Sequence, residues 1–271
     1  MADTSPTISY AGHEDPWIKR TFINAIEASM GRRRVERIYH DLKRDFSPLR
    51  FFGEALRHGD VEIDWQGTDF DALPRQGPLV IIANHPFGVI DGLVLCDLAM
   101  RLRGDFRVLI NSLLCRDQDL EPYFLPIDFC GSREAARTNV SSRRRAHAAL
   151  QNDVPVLIFP AGGISTARSR FGFGRVQELP WNTFVAKLIQ QHRATVLPVH
   201  FHGQNSRKFH VASNVSETFR MALLIHEVRN KLGKKIRVTM GEPLAYDALA
   251  HIESRHALTE HLYQQVMQLA A

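Results

Sequence analysis

The sequence predicts a single α/β domain, a mixed and largely parallel sheet flanked by helices, preceded by an N-terminal amphipathic helical pair. Three observations predict it. Short β-rich runs alternate with helical segments along most of the chain. Several of those runs are continuously apolar, as strands covered on both faces must be. The N-terminal stretch shows apolar residues at helical spacing instead.

Between Trp17 and Met30 the apolar residues Ile18, Phe22, Ile26 and Met30 recur every four positions, and Val35, Ile38, Tyr39, Leu42 and Phe46 continue at three- and four-residue spacing. Two amphipathic helices separated by Gly31 follow. Predicted strands come next: Val61 to Trp65, Leu79 to Ala83, Phe106 to Ile110, Phe124 to Phe129, Val154 to Phe159, Thr195 to Phe201 and Lys235 to Met240. Helices are predicted between and after them at Asp91 to Leu102, Ser132 to Gln151, Asn182 to Gln191, Ser216 to Leu232 and Tyr246 to Leu269. The organisation expected is a helical extension over 1–58 and an α/β domain over 59–271, with no repeat or Pro/Gly-rich linker dividing the latter.

A chain of 271 residues with 44% hydrophobic content can bury one large core. Its 34 Lys and Arg against 29 Asp and Glu leave a formal charge of +5. The segment from Ile18 to Arg50 holds nine basic and four acidic residues, a surplus equal to the whole excess. Basic and apolar faces on one helical pair suit adsorption to an anionic membrane surface, although the same pair can simply cover a core. Cys96, Cys115 and Cys130 form no C-x-x-C motif, leave one thiol over in any disulfide scheme and point to a reducing compartment. Met1 to Pro16 is polar, unlike a signal peptide, and no apolar run approaches the roughly 20 residues that span a bilayer. A cytoplasmic protein, peripheral on the inner face of the cell membrane, is the expectation.

Chemistry concentrates in Ile81-Ile82-Ala83-Asn84-His85-Pro86-Phe87-Gly88-Val89-Ile90-Asp91-Gly92, an apolar strand running through a turn-rich loop into a helix. Loops at strand ends are where α/β proteins place reacting groups. His85 there can take a proton from an alcohol if a carboxylate holds its other ring nitrogen, and Asp91 is the nearest acid able to fold back on it. The same pair can also be no more than a helix cap beside a satisfied histidine.

Three further stretches follow in order: Pro126-Ile127-Asp128 running into Gly131-Ser132-Arg133, then Phe159-Pro160-Ala161-Gly162-Gly163-Ile164-Ser165, then Val196-Leu197-Pro198-Val199. With the Asn84, His85, Asp91 block, these resemble the four blocks of PlsC-like lysophospholipid and glycerolipid acyltransferases, over Leu79 to Gly203. The first block, one residue longer than usual between His and Asp, is similar to the Asn-His-Pro-x-Gly-x-x-Asp-Gly form of bacterial hemolysin-like or ornithine-lipid acyltransferases. In the third block Ala161 stands where the family has Glu, and Ile164 where it has Arg.

The resemblance implies direct transfer of a fatty acyl group from acyl-CoA or acyl-carrier protein to the hydroxyl of a lysolipid, either lysophosphatidic acid-like or lyso-ornithine lipid-like. It needs no metal and no cofactor beyond the acyl donor as co-substrate. His85 is expected as general base, oriented by Asp91. Asn84, Arg133, Phe159, Pro160, Gly162, Gly163, Ser165 and Arg168 are expected around the substrates, with main-chain N–H groups near Gly162 and Gly163 facing the oxyanion. Arg168, Arg170 or Arg175 can supply the positive charge missing at Ile164, or the acceptor can carry a different head group, such as an acylated amino acid. Arg133 follows Ser132 at a helix start, where N–H groups and a guanidinium together hold an anion; a surface ion pair is the plainer alternative. Arg143, Arg144 and Arg145 can dock an acidic carrier or the phosphates of CoA, or merely face solvent.

His200, His202 and His210 have no carboxylate or thiol at metal-ligand spacing and are expected as core or rim residues. Cys96 is expected to be a buried, inert thiol. Other readings of the chain are a non-catalytic lipid-binding relative and a thioester hydrolase using the same residues. Nucleic acid is not expected as a partner, because neither an aromatic-interleaved RNP pattern nor a KH-type loop accompanies the arginines.

Overall fold

The computed structural model describes residues 32–115, 117–167, 169, 172–174, 176–215 and 217–271. The helix expected over Trp17 to Met30 lies outside them. In chain order the elements are α1 (Arg32–Arg44), α2 (Pro48–His58), β1 (Glu62–Gly67), β2 (Leu79–Ala83), α3 (Val89–Arg103), β3 (Arg107–Asn111), β4 (Phe124–Ile127), α4 (Arg133–Gln151) and β5 (Val156–Ile158). There follow β6 (Thr166–Ala167), β7 (Val176–Gln177), α5 (Phe184–His192), β8 (Thr195–Phe201), α6 (Arg207–Val215), α7 (Glu217–Lys231), β9 (Lys235–Met240), α8 (Tyr246–Leu249) and α9 (Arg255–Gln268).

Seven strands form one sheet in the order β1-β9-β8-β2-β5-β3-β4, parallel throughout except where β8 meets β9, and β6 and β7 make a separate antiparallel pair. The central strand β2 pairs in parallel with β5 on one side (Val80 with Val156) and with β8 on the other (Leu79 with Thr195). All five of its residues are buried, and their two-residue period divides them between two cores. Leu79, Ile81 and Ala83 join α2 and α3 on one face through Phe52, Val94 and Leu98. Val80 and Ile82 join α4, α5 and α9 on the other through Leu150, Leu188 and Leu262. This two-sided burial explains the uninterrupted apolar reading of the strand and fixes the loop that leaves its C-terminal end.

The element boundaries differ from expectation where a side chain intervenes. Strand β4 stops at Ile127, not Phe129, because the Asn139 side chain accepts from the Asp128 N–H at 2.7 Å and donates to the Asp128 carbonyl at 2.8 Å, replacing ladder partners. The C-terminal helix is two helices, α8 and α9, the second capped by Ser254, whose hydroxyl accepts from the Ala257 N–H. Helices α2 and α6 and the β6/β7 pair have no counterpart in the sequence reading. Helix α2 had a legible start, Ser47 followed by Pro48 at its first turn. Its Phe51, Phe52 and Leu56 are buried in the main core, and the apolar stripe of α1 (Val35, Ile38, Tyr39, Leu42) packs on the same core. The apolar face of α1 is therefore occupied within the molecule, while Arg33, Arg34, Arg37 and Arg44 face solvent. Tyr39 donates to Asp117 at 2.6 Å and Lys43 pairs with Asp117 at 3.0 Å, tying α1 to the loop before β4.

Candidate active site

The end of β2 delivers Asn84 and His85 to the loop that opens α3. Asn84 is buried and both ends of its amide are taken by the main chain of Phe201 at the end of β8, with Nδ2 donating at 2.9 Å and Oδ1 accepting at 2.7 Å. Its side chain thus joins two strand ends. The turn that follows depends on Gly88, whose φ of +89° is a conformation that L side chains rarely adopt; a Cβ there would also stand 2.8 Å from the tip of the Ile164 side chain.

Asp91 sits in the first turn of α3 with no exposed surface, and its Oδ2 accepts from the N–H groups of Phe87 at 2.9 Å and Gly88 at 3.0 Å. A carboxylate at this end of a helix is stabilised by the free N–H groups and by the dipole. The same Oδ2 lies 2.9 Å from Nδ1 of His85. That contact is short but bent away from ideal hydrogen-bond alignment, as expected when two N–H groups already occupy the oxygen's lone pairs. The imidazole also stacks on Phe159, with ring centroids 4.0 Å apart and planes 27° from parallel, and 17% of its side-chain surface remains exposed. His85 thus faces the buried carboxylate at one nitrogen and is stacked on one face, while part of its surface reaches solvent.

The third block wraps around the main chain of His85. Ser165 is buried and donates its N–H to the His85 carbonyl at 2.9 Å. The N–H of His85 donates to Glu178 Oε1 at 3.0 Å, and the Ser165 hydroxyl donates to the same oxygen. Trp181 Nε1 donates to Glu178 Oε2 at 3.2 Å. Gly162 has φ of +67°, and its N–H donates to the Phe159 carbonyl at 2.9 Å, so that group closes a turn. Pro160 accepts from the Asn182 N–H at 2.9 Å, while a Cβ at Gly163 would stand 3.0 Å from Leu179 Cδ1.

Arg133 begins α4 at the end of β4 and is exposed. Arg168, together with Arg170 and Arg175, lies outside the described residues. On α4, Arg143 packs over the Phe184 ring and Arg145 reaches the Glu121 carbonyl at 3.4 Å. Cys96 is buried inside α3, and burial, with the neighbouring Asp97 adding to it, pushes its thiol well above the ordinary range.

Behind Phe87 lies a polar layer the sequence reading missed. Lys231 Nζ stands 4.4 Å from the Phe87 ring centroid and donates to the Gln204 carbonyl at 2.9 Å. Burial lowers its amine pKa, opposed by Glu227 and, more weakly, by Asp91. Glu227 is 1% exposed and accepts from the Ser206 N–H at 2.9 Å. His200 and His210 are buried and His202 partly so, with His202 Nε2 2.8 Å from Thr239 Oγ1. Among the described residues no group of three His, Cys, Asp or Glu side chains is placed to hold a metal ion.

A histidine beside a buried acid at the C-terminal end of a central parallel strand is an arrangement that acid–base chemistry can use, and the comparisons with known proteins specify the family. A family model described as "Acyltransferase" matches residues 12–269, and the chain belongs to that family. It is 29% identical over 204 residues to the lyso-glycine lipid O-acyltransferase of Phocaeicola vulgatus, covering 72% of this chain and 69% of that protein. It is also 29% identical over 217 residues to the lyso-glycine lipid O-acyltransferase of Bacteroides thetaiotaomicron, covering 77% and 75%. The crystal structure of the 1-acyl-sn-glycerophosphate (LPA) acyltransferase PlsC from Thermotoga maritima aligns over 93% of this chain and 95% of that one, with a TM-score of 0.49 and 12% identity.

Proposed function

We propose that this acyltransferase moves a fatty acyl group from a thioester donor, acyl-carrier protein or acyl-CoA, to the hydroxyl of a lysolipid, and that the lysolipid carries an amino-acid head group. The observation that carries the reading is the His85 ring, stacked on Phe159 with Nδ1 2.9 Å from the buried Asp91 carboxylate and part of its surface open to solvent. The names of the two bacterial relatives support the acceptor class. So does the third block, where Ala161 and Ile164 take the places of the acid and cation found in the glycerolipid enzymes it resembles.

In this mechanism the acceptor hydroxyl oxygen attacks the thioester carbonyl carbon while Nε2 of neutral His85 takes its proton. Asp91 keeps the proton of the ring on Nδ1 and offsets the positive charge that develops. The tetrahedral intermediate collapses with cleavage of the C–S bond, and the imidazolium returns the proton to the departing sulfur. An ester and a free thiol result, and His85 is neutral again. Acid–base catalysis of this kind contributes on the order of 100- to 10,000-fold. The protein works at a membrane surface in this reading. No helix among the described residues is long and apolar enough to cross a bilayer, and the exposed arginines of α1 suit an anionic lipid face.

The test is thiol release from acyl-CoA and from acyl-carrier protein, with lyso-glycine lipid, lyso-ornithine lipid and lysophosphatidic acid offered separately. Release that depends on an amino-acid lysolipid and vanishes in His85→Ala is expected. Release indifferent to the acceptor would make the protein a hydrolase, and preference for lysophosphatidic acid would overturn the acceptor class.

A further inference from the structure

Glu178 belongs to none of the four sequence blocks, yet it takes part in a closed ring of hydrogen bonds around His85. Thr166 pairs with Gln177 in the β6/β7 hairpin, so antiparallel register places Ser165 opposite Glu178 at the next rung. There Glu178 Oε1 accepts both the His85 N–H at 3.0 Å and the Ser165 hydroxyl, and the Ser165 N–H donates to the His85 carbonyl at 2.9 Å. Both main-chain polar groups of the proposed base are therefore bonded to one hairpin rung. Trp181 holds the other carboxylate oxygen at 3.2 Å, fixing the orientation of the rung from outside. Only 17% of the His85 side chain is exposed, between Phe159 on one face and Asp91 at Nδ1, so a small rotation of its main chain would break the stack or the pair.

We infer that Glu178 is a positioning residue of the acyl-transfer site: it sets the His85 main chain, and through it the imidazole, by accepting the His85 N–H together with Ser165. The inference rests on the proposed role of His85 as general base. A misplacement of about 1 Å at a reacting group can cost about 100-fold in rate, and such a loss appears in turnover rather than in binding. What the rung requires is a hydrogen-bond acceptor at Oε1. A glutamine supplies one and sacrifices only the bond from Trp181, whereas alanine removes the rung altogether.

The experiment compares wild type, Glu178→Ala, Glu178→Gln and Ser165→Ala in acceptor-dependent thiol release, with kcat and KM separated and thermal unfolding followed beside them. Expected for Glu178→Ala is a fall in kcat of about 10- to 100-fold with KM for both substrates within about twofold of wild type. Glu178→Gln should recover most of that loss. Combining Glu178→Ala with Ser165→Ala should cost less than the two separate losses multiplied, because both substitutions break one network. A rise in KM with kcat held would instead make Glu178 a substrate contact. Equal inactivity of the Ala and Gln variants would make its charge the essential feature, and either result overturns the inference. Imidazole NMR of ligand-free protein, with the His85 signals assigned from His85→Ala, provides a readout independent of the acceptor. Displaced or broadened His85 ring signals in Glu178→Ala, restored in Glu178→Gln, are expected, and an undisturbed ring in Glu178→Ala overturns the positioning role. Absence of acceptor-dependent release in the wild type would count against the proposed function and leave the ring spectrum to decide the role of Glu178.

Discussion

At the scale of single residues, Asp91 performs two tasks with one oxygen. Oδ2 closes the first turn of α3 through the N–H groups of Phe87 and Gly88, and it faces Nδ1 of His85. The two tasks separate in Asp91→Asn. An amide oxygen still accepts the two backbone N–H groups, so the helix start and the fold should persist. The imidazole loses the charge that offsets its protonated form, while the amide oxygen, held in the Oδ2 place by the two N–H groups, still faces Nδ1. Turnover should fall by roughly 100-fold or more with little change in melting temperature. Activity near wild type would mean that another acid orients His85. A helix cap and a catalytic brace are thus compatible readings of one side chain, and the local spacing that suggested either is a consequence of the Pro-Phe-Gly turn.

At the scale of elements, α2 decides how the N-terminal part of the chain relates to the sheet. Phe52 is 3% exposed and meets Phe106 edge-on at 5.3 Å and Tyr123 at 6.4 Å, linking the helix to the β3 region. Its neighbour Phe51 packs against Phe46 at 5.6 Å, just beyond the end of α1. Removing one such ring leaves a cavity among fixed neighbours, and Phe52→Ala should destabilise the whole domain by about 3–5 kcal/mol. Denaturant unfolding checks this. A loss confined to local fraying of α2, with the main transition unmoved, would show the helix to be an appendage. The basic, exposed side of α1 remains available to an anionic surface whichever way that experiment falls, since its apolar side is the one that faces the core.

At the scale of the whole molecule, burial biases several histidines toward the neutral form. His147, His192, His200, His202, His210 and His226 all have their pKa lowered, with loss of solvation the first cause in each. For His200 the shift is from 6.5 to about 4, with the nearby His202 adding to it. A group whose folded pKa is depressed binds more protons when unfolded. The stability this confers is fully present above the unfolded value and declines as pH falls toward the folded one. The urea midpoint should therefore drop steadily between about pH 6.5 and pH 4, with His200 contributing across that window. A midpoint unchanged from pH 7.5 to pH 5 would contradict it.

The sequence by itself determined the class of the fold, because periodicity is a local property. The buried run Leu79 to Ala83 and the strands Thr195 to Phe201 and Lys235 to Met240 were legible residue for residue. It also determined His85 and Asp91 as a pair, since a strand, a turn and a helix start lie within twelve consecutive residues, Ile81 to Gly92. Only the tertiary structure decided what surrounds them. Glu178 reaches the His85 N–H across 93 positions of sequence, and Asn84 meets Phe201 across 117. No spacing rule connects residues so far apart. Their meeting depends on strand order, on the register of a two-rung hairpin and on a glycine turn at Gly88, which become fixed together when the two faces of the sheet close over β2.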